Sequence, residues 1–253
     1  MFGQNNIICL AGMNKCSIDF LKFISSKISK KNILVLPSKR DKGVDTWQPS
    51  LRKYAKKNKY RIVSINQIYK IKNLIFISIE YDLLIDIKKF LSKELFNFHF
   101  SLLPKYRGCH TNFFQIFYGE KVSGVTLHKI DKGIDTGPII AAIKFKIDRN
   151  TNAFENYNKL MTYSLKLFKK NFKNIINKKY IAKKQKLNKG SYFSKLSVNY
   201  NKMKYFKLKK ITQKNFNQIK AFIFPPMQLP FLNNKKISDI RYVKNNNIKI
   251  SYD

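Results

Sequence analysis

Short apolar runs rich in β-branched and aromatic residues recur through the first 100 residues, separated by stretches of a different period. "NNIICLAGMN" (5–14) reads as a buried strand ending in Gly12, and "NILVL" (32–36), "YRIVSI" (60–65), "NLIFISI" (73–79) and "LFNFHF" (95–100) read likewise. Between the first two, Ile18, Leu21, Ile24 and Ile28 recur at helical spacing, with Ser17 as N-cap. Residues 47–59 predict a second helix. Strands that alternate with helices demand a parallel sheet with right-handed crossovers, so the fold class is α/β. Ligands of such sheets bind at the carboxyl ends of strands. Strands at 124–130 and 138–147 follow, joined by the turn-rich "DKGIDTG" (131–137). A long helix comes next, capped by Asn152 with Glu155, its apolar stripe formed by Phe154, Tyr157, Met161, Leu165, Phe168, Phe172 and Ile175. A basic stretch near 177–189 divides residues 1–180 from a small α+β appendage over 181–253, with an amphipathic "NFNQIKAFIF" and a hairpin around "KNNN".

Composition narrows the class. Apolar residues make up 44% of 253, with 21 Phe and 14 Tyr, enough for a folded core. No apolar run reaches the ~18 residues of a membrane span, and "MFGQNNIICLAGMNK" lacks the basic start of a signal peptide. Cys9, Cys16 and Cys109 are odd in number and fit reduced cytoplasmic thiols. The net charge of +37 invites a nucleic-acid partner, but the excess is nearly all Lys and is spread along the whole chain. Asn, Ile, Phe and Tyr are inflated with it, as an AT-rich coding bias would produce. No G-x-G-x-x-G or P-loop signature is present.

One strand departs from the pattern. In "LFNFHFSLLPKYRG", Phe96, Phe98 and Phe100 alternate with Asn97, His99 and Ser101. Asn97 and His99 therefore project on one side, roughly 7 Å apart. A parallel strand is ordinarily apolar on both faces, so this polar pair carries a desolvation cost that function explains. Of the three histidines, His128 lies mid-strand and reads as a hydrogen-bonded structural residue, and His110 is badly placed to pair with Cys109. Asp131 and Asp135, two of only 14 acidic residues, share one glycine-bearing turn. Turn formation accounts for Asp131 better than for Asp135.

"FNFHFSLLPKYRG" followed by "SGVTLHKIDKGIDTGPII" closely resembles the folate-dependent formyltransferase family. The resemblance is specific over residues 90–140 and looser over 1–180. It implies a Rossmann-like, mostly parallel sheet and a formyl-tetrahydrofolate co-substrate, with no metal. The family's catalytic Asn, His and Asp fall on Asn97, His99 and Asp135. Transfer of a formyl group to an amine passes through a tetrahedral oxyanion, which Asn97 would stabilise while His99 takes the amine's proton. Asp135 would orient the imidazole. Folate contacts are implied for Ser78, Tyr81, Ser101, Leu102, Leu103, Asp131 and Ile134.

Among family members, the sugar N-formyltransferases are most similar, through "VDTWQPSL" (44–51), "NLIFISIEYDLLI" (73–85) and "KAFIFPPMQLPFLNNKKI" (220–237). That implies a nucleotide-linked amino sugar of the dTDP-amino-deoxyhexose type as acceptor, a homodimer, and a place in lipopolysaccharide O-antigen synthesis. Asn14 and Lys15, where the first strand opens into a helix, together with Tyr106 and Arg107, are the expected substrate contacts. Trp47, the single tryptophan, either stacks on the base or packs between helix and sheet. The alternatives are a methionyl-tRNA or glycinamide ribonucleotide formyltransferase, and a basic RNA-binding protein on an inactive formyltransferase fold.

Overall fold

The computed structural model describes residues 6–244 and 247–253, so the start of the leader reading and Asn245–Asn246 of the "KNNN" turn lie outside the described residues. The chain runs β1 (Ile7–Gly12), α1 (Asn14–Ser25), β2 (Ile33–Pro37), α2 (Leu51–Lys57), β3 (Arg61–Ile62), α3 (Ile65–Ile68), β4 (Leu74–Ile79), β5 (Leu95–His99), β6 (Arg107–Gly108), α4 (Thr111–Phe117), β7 (Val122–Lys129), β8 (Ile139–Lys146) and α5 (Ala153–Ile176). After α5 come β9 (Tyr192–Phe193), α6 (Tyr200–Met203), β10 (Tyr205–Phe206), α7 (Gln213–Phe222), β11 (Phe231–Leu232), β12 (Lys235–Tyr242) and β13 (Ile248–Tyr252). Among the described residues, seven strands form one sheet in the order β3-β2-β1-β4-β5-β7-β8. The pairs from β3 through to β5 are parallel, and β7 lies antiparallel to β5.

The chain divides into two compact units: residues up to His99 with Val125–Ile143 and Thr162–Asn188, and Phe100–Gly124 with Lys144–Met161 and Lys189–Asp253. Both are interleaved in sequence, whereas the sequence reading divides the chain once, near residue 180.

In the first unit, every residue of β2 and β4 is buried, as strands covered on both faces must be. On one face Phe20 of α1 stacks on Phe168 of α5 at 4.2 Å, and Phe98 meets both rings edge-on at 5.0 and 5.5 Å. Burying such a ring contributes about 1.5–3 kcal/mol. The opposite face carries Cys9, Ala11, Leu34, Leu36, Phe76 and Leu95. Gly12 is required where β1 turns into α1, because a Cβ there would come within 2.2 Å of Ser17 Oγ and 2.3 Å of the Ile79 carbonyl.

Several boundaries differ from expectation. Ser17 is not a cap: α1 begins at Asn14, and the Ser17 hydroxyl donates back to the Met13 carbonyl at 2.7 Å. The helix expected over 47–59 begins only at Leu51, because Ser50 caps it by accepting from Lys53 N and Pro49 disfavours helical backbone before it. The "YRIVSI" strand shrinks to Arg61–Ile62: it is an edge, and Ser64 with Gln67 already forms the capping box of α3. The Asn152–Glu155 cap of α5 is present in both directions, at 3.0 and 2.9 Å. Its buried stripe takes in Leu160, Ser164 and Leu167, while Leu165 is only half-buried.

In the second unit, Phe113 of α4 packs edge-on against Phe222 of α7 and Tyr200 of α6. Among the described residues, four strands form a sheet in the order β10-β11-β12-β13, over a core of Phe216, Ile219, Ile223, Leu232, Ile237 and Ile240. Residues β12 and β13 form the expected antiparallel hairpin.

Candidate active site

The alternation in β5 does what its period requires. Phe96 and Phe98 are buried on one side, and Asn97 and His99 face the other at the carboxyl end of the strand. Across the parallel pair, Ser78 of β4 is in register with Asn97. Across the antiparallel pair, Asn97 stands directly opposite His128 of β7. Opposed residues share a sheet face, so the antiparallel register brings a second imidazole to the polar row.

The four polar groups converge. Asn97 Nδ2 lies 3.2 Å from His128 Nε2 and 3.3 Å from Asp135 Oδ1. His99 Nδ1 lies 3.4 Å from Asp135 Oδ2, and His128 Nε2 is 3.5 Å from Asp135 Oδ1. His128 Nδ1 sits 2.7 Å from the Lys129 carbonyl, which can only accept. Its proton therefore belongs on Nδ1, and Nε2 accepts from the Asn97 amide. The reverse assignment of that amide would set its oxygen against the Asp135 carboxylate. His99 and His128 are 7% and 2% exposed, so these contacts are made largely away from water, where they are strongest.

Asp135 reaches the row from a tight turn. Its φ is +53°, in the left-handed region that Asp tolerates better than most residues. Asp131 braces the turn by accepting from Gly133 N at 3.1 Å and Thr136 Oγ1 at 2.6 Å. Gly137 lets it close, since a Cβ there would lie 1.8 Å from the Lys129 carbonyl. A carboxylate so placed orients an imidazole and stabilises its charged form, the amide offers hydrogen-bond donors to a developing oxyanion, and the imidazole exchanges a proton.

The remaining predicted residues are placed unevenly. Ser78 is buried, and Tyr81 packs against the cluster of Cys9, Leu36 and Phe76, where burial pushes its hydroxyl up to about 12. Ser101 is wholly buried and donates to the Lys105 carbonyl at 2.7 Å; Leu103 is buried and Leu102 half-buried. Asp131 serves its turn, and Ile134 is exposed. Asn14 has a φ of +68°, and Lys15 pairs with Asp19 while its backbone N–H donates to the Gln48 side chain. Trp47 is 40% exposed. The Tyr106 hydroxyl donates to Glu120 at 2.8 Å and its ring stacks on Phe193; burial first, then Glu120, raises its pKa. Arg107 Nε is buried with no hydrogen-bond partner among the described residues. His128, read from the sequence as a hydrogen-bonded structural residue, is buried and bonded to the Lys129 carbonyl and the Asn97 amide. Only the register says that Asn97 is the neighbour it faces.

An α/β sheet with an amide, imidazoles and a carboxylate gathered at one strand end is the framework of a group-transfer enzyme. The chain belongs to the formyl transferase family, which matches residues 26–170, more than half its length. Two solved structures are similar along nearly the whole chain. WlaRD, a sugar 3N-formyl transferase crystallised in the presence of dTDP and 5-N-formyl-THF, is 43% identical with a TM-score of 0.90, covering 96% of this chain and 88% of that one. An N-formyltransferase from Helicobacter canadensis, in complex with folinic acid and dTDP-3-aminofucose, is 40% identical with a TM-score of 0.88, covering 94% and 89%. Among curated proteins, a methionyl-tRNA formyltransferase from Clostridium tetani is 40% identical over 114 residues, 42% of this chain and 37% of that protein. The bifunctional polymyxin resistance protein ArnA of Wigglesworthia glossinidia brevipalpis is 36% identical over 49% of this chain and 19% of its own. The chain thus matches well under half the length of these curated relatives.

Proposed function

We propose that this enzyme transfers a formyl group from formyl-tetrahydrofolate to the amine on carbon 3 of a dTDP-linked amino-deoxy sugar. The observation that carries this is the identity of 43% and 40%, along nearly the whole chain, to enzymes whose structures hold dTDP or a dTDP-3-amino sugar with a formylated folate. Three curated methionyl-tRNA enzymes match 42–58% of the chain, and a solved methionyl-tRNA formyltransferase from Clostridium thermocellum, 17% identical, shares the fold alone. A 4-N formyltransferase from Francisella tularensis, 21% identical, shares the fold alone.

The geometry of the site supports a mechanism for this transfer. The neutral sugar amine attacks the formyl carbon, forming the new C–N bond and placing charge on the formyl oxygen. Asn97 donates to that oxygen with the hydrogen that otherwise makes its long 3.3 Å contact with Asp135, while His128 keeps the amide oriented. With Nδ1 of His99 facing Asp135, Nε2 takes the proton released by the amine. The intermediate collapses as the bond from carbon to the folate nitrogen breaks, and the proton passes to that nitrogen, leaving tetrahydrofolate and a formamido sugar. Atoms and charge balance without an oxidant or reductant.

Purified protein incubated with formyl-tetrahydrofolate and a panel of dTDP-3-amino and dTDP-4-amino sugars tests the proposal. Turnover confined to 3-amino sugars supports it. Formylation of methionyl-tRNA alone, or salt-sensitive RNA binding without turnover, overturns it in favour of the tRNA enzyme or the RNA-binding protein.

A further inference from the structure

We propose that Gln185 is a positioning residue that holds Asp135 against His99 and Asn97; the inference rests on the formyl-transfer reading of that site. Its side chain reaches the catalytic turn from a segment about 50 residues further along the chain. Gln185 Nε2 donates to two backbone carbonyls of that turn, Asp135 O at 2.9 Å and Gly137 O at 2.7 Å. Its Oε1 is buried with no hydrogen-bond partner among the described residues. The opposite assignment of the amide would set three oxygens together with no hydrogen among them, so the nitrogen must face the turn.

The segment that carries Gln185 is itself tied down. Lys183 and Ile139 exchange both backbone hydrogen bonds at 2.8 Å, extending the start of β8 by one bridge. At its other end, the Tyr180 hydroxyl donates to Glu94, just before β5, and accepts from Lys129 Nζ at 2.9 Å, at the end of β7. The strap is therefore anchored to the strands that carry Asn97, His99 and His128.

Its mechanical role follows from the backbone it grips. Asp135 holds a left-handed φ of +53°, a conformation that costs a non-glycine residue about 1 kcal/mol or more. The bonds from Asp131 brace only the near side of the turn, through Gly133 and Thr136. Without Gln185, the peptide after Asp135 has no side-chain donor from the strap, and relaxation of its φ swings the carboxylate away from its 3.4 Å contact with His99. Misplacement by about 1 Å costs ~100-fold in rate where geometry governs the step.

Gln185→Glu keeps the shape and removes the donor, setting a carboxylate against two carbonyls. The expected result is a fall of about 10- to 100-fold in kcat, with KM for folate and sugar within about threefold of wild type. In the Asp135→Asn background the same substitution is expected to add less than about twofold, because it acts only through that carboxylate. Hydrogen exchange of the peptide covering 131–139, which needs no turnover, is expected to quicken while the rest of the sheet stays protected. A kcat within about twofold of wild type, a loss that falls on KM, a full multiplicative loss in the Asp135→Asn background, or unchanged exchange at 131–139 overturns the inference. If Gln185→Glu lacks a cooperative melt, the same measurements on Gln185→Ala decide. Absence of wild-type turnover with every sugar sinks the formyl-transfer reading instead, and the exchange result stands apart from it.

Discussion

Asn97 and His128 face each other across the antiparallel pair of β5 and β7, with Nδ2 and Nε2 3.2 Å apart. The histidine's other nitrogen is fixed by the Lys129 carbonyl, so the amide of Asn97 is oriented before any substrate arrives. His128→Phe removes the acceptor and keeps a ring in the strand. We expect kcat to fall about 10-fold or more with folate KM little changed, a smaller loss than removing Asn97 itself, which on the proposed mechanism takes away an oxyanion donor worth about 100- to 1,000-fold. Steady-state kinetics of His128→Phe and Asn97→Ala side by side check the order.

His99→Gln keeps a polar side chain and, on the proposed mechanism, loses the proton exchange. A drop of about 100- to 10,000-fold in kcat is expected. Asp135→Asn should fall in the same range, and the double variant should lose little more than either single one, because the two act as a unit. Undiminished transfer by His99→Gln would remove it from the chemistry.

Trp47 offers an optical probe because it is the single tryptophan and lies 40% exposed. If it stacks on the nucleotide base, titration with dTDP quenches its fluorescence saturably, and Trp47→Ala weakens nucleotide binding by about 1 kcal/mol, the scale of one aromatic stacking contact. An emission spectrum indifferent to dTDP would separate Trp47 from the base.

Phe168 stacks on Phe20 and meets Phe98 edge-on beneath the strand that carries His99. Phe168→Ala is expected to cost about 3–5 kcal/mol of stability through the cavity it leaves. Denaturant unfolding reads that loss, and KM should stay close to wild type at temperatures where the variant is folded.

Lys220 is almost wholly buried, its ammonium donating to the Arg149 carbonyl and lying 4.8 Å from the centre of the Phe216 ring. Burial lowers its pKa from 10.5 to about 8, so between those values the unfolded chain binds more protons at this site than the folded one. The site therefore weighs against folding below about pH 8, and that penalty fades as pH rises towards 10.5. Lys220→Met removes it. The stability advantage of the variant over wild type should be largest near neutral pH and shrink by about 3 kcal/mol across that window. Comparing the two proteins at each pH cancels the titration of every other group.

The sheet, the order of strand and helix, and the polar row of β5 were legible in the chain because each depends on periodicity along one segment. Alternation places Asn97 and His99 together whatever surrounds them, and the Asn152–Glu155 box caps α5 from residues three apart. Ends that depend on a neighbour were less legible. β3 is short because it lies at a sheet edge, and α5 buries Ser164 and Phe168 because α1 meets it there, with Cys16 on Ser164 and Phe20 on Phe168.

What the amino-acid order determined alone was a strand that turns an amide and an imidazole towards the ligand end of an α/β sheet, and an aspartate on the glycine-bearing turn between two later strands. Tertiary structure decided which groups meet them. His128 enters through the register of an antiparallel pair, and Gln185 through a strap some fifty positions beyond the turn. Neither contact follows from local spacing, because a hydrogen bond between distant segments depends on how strands pair and where a helix returns the chain.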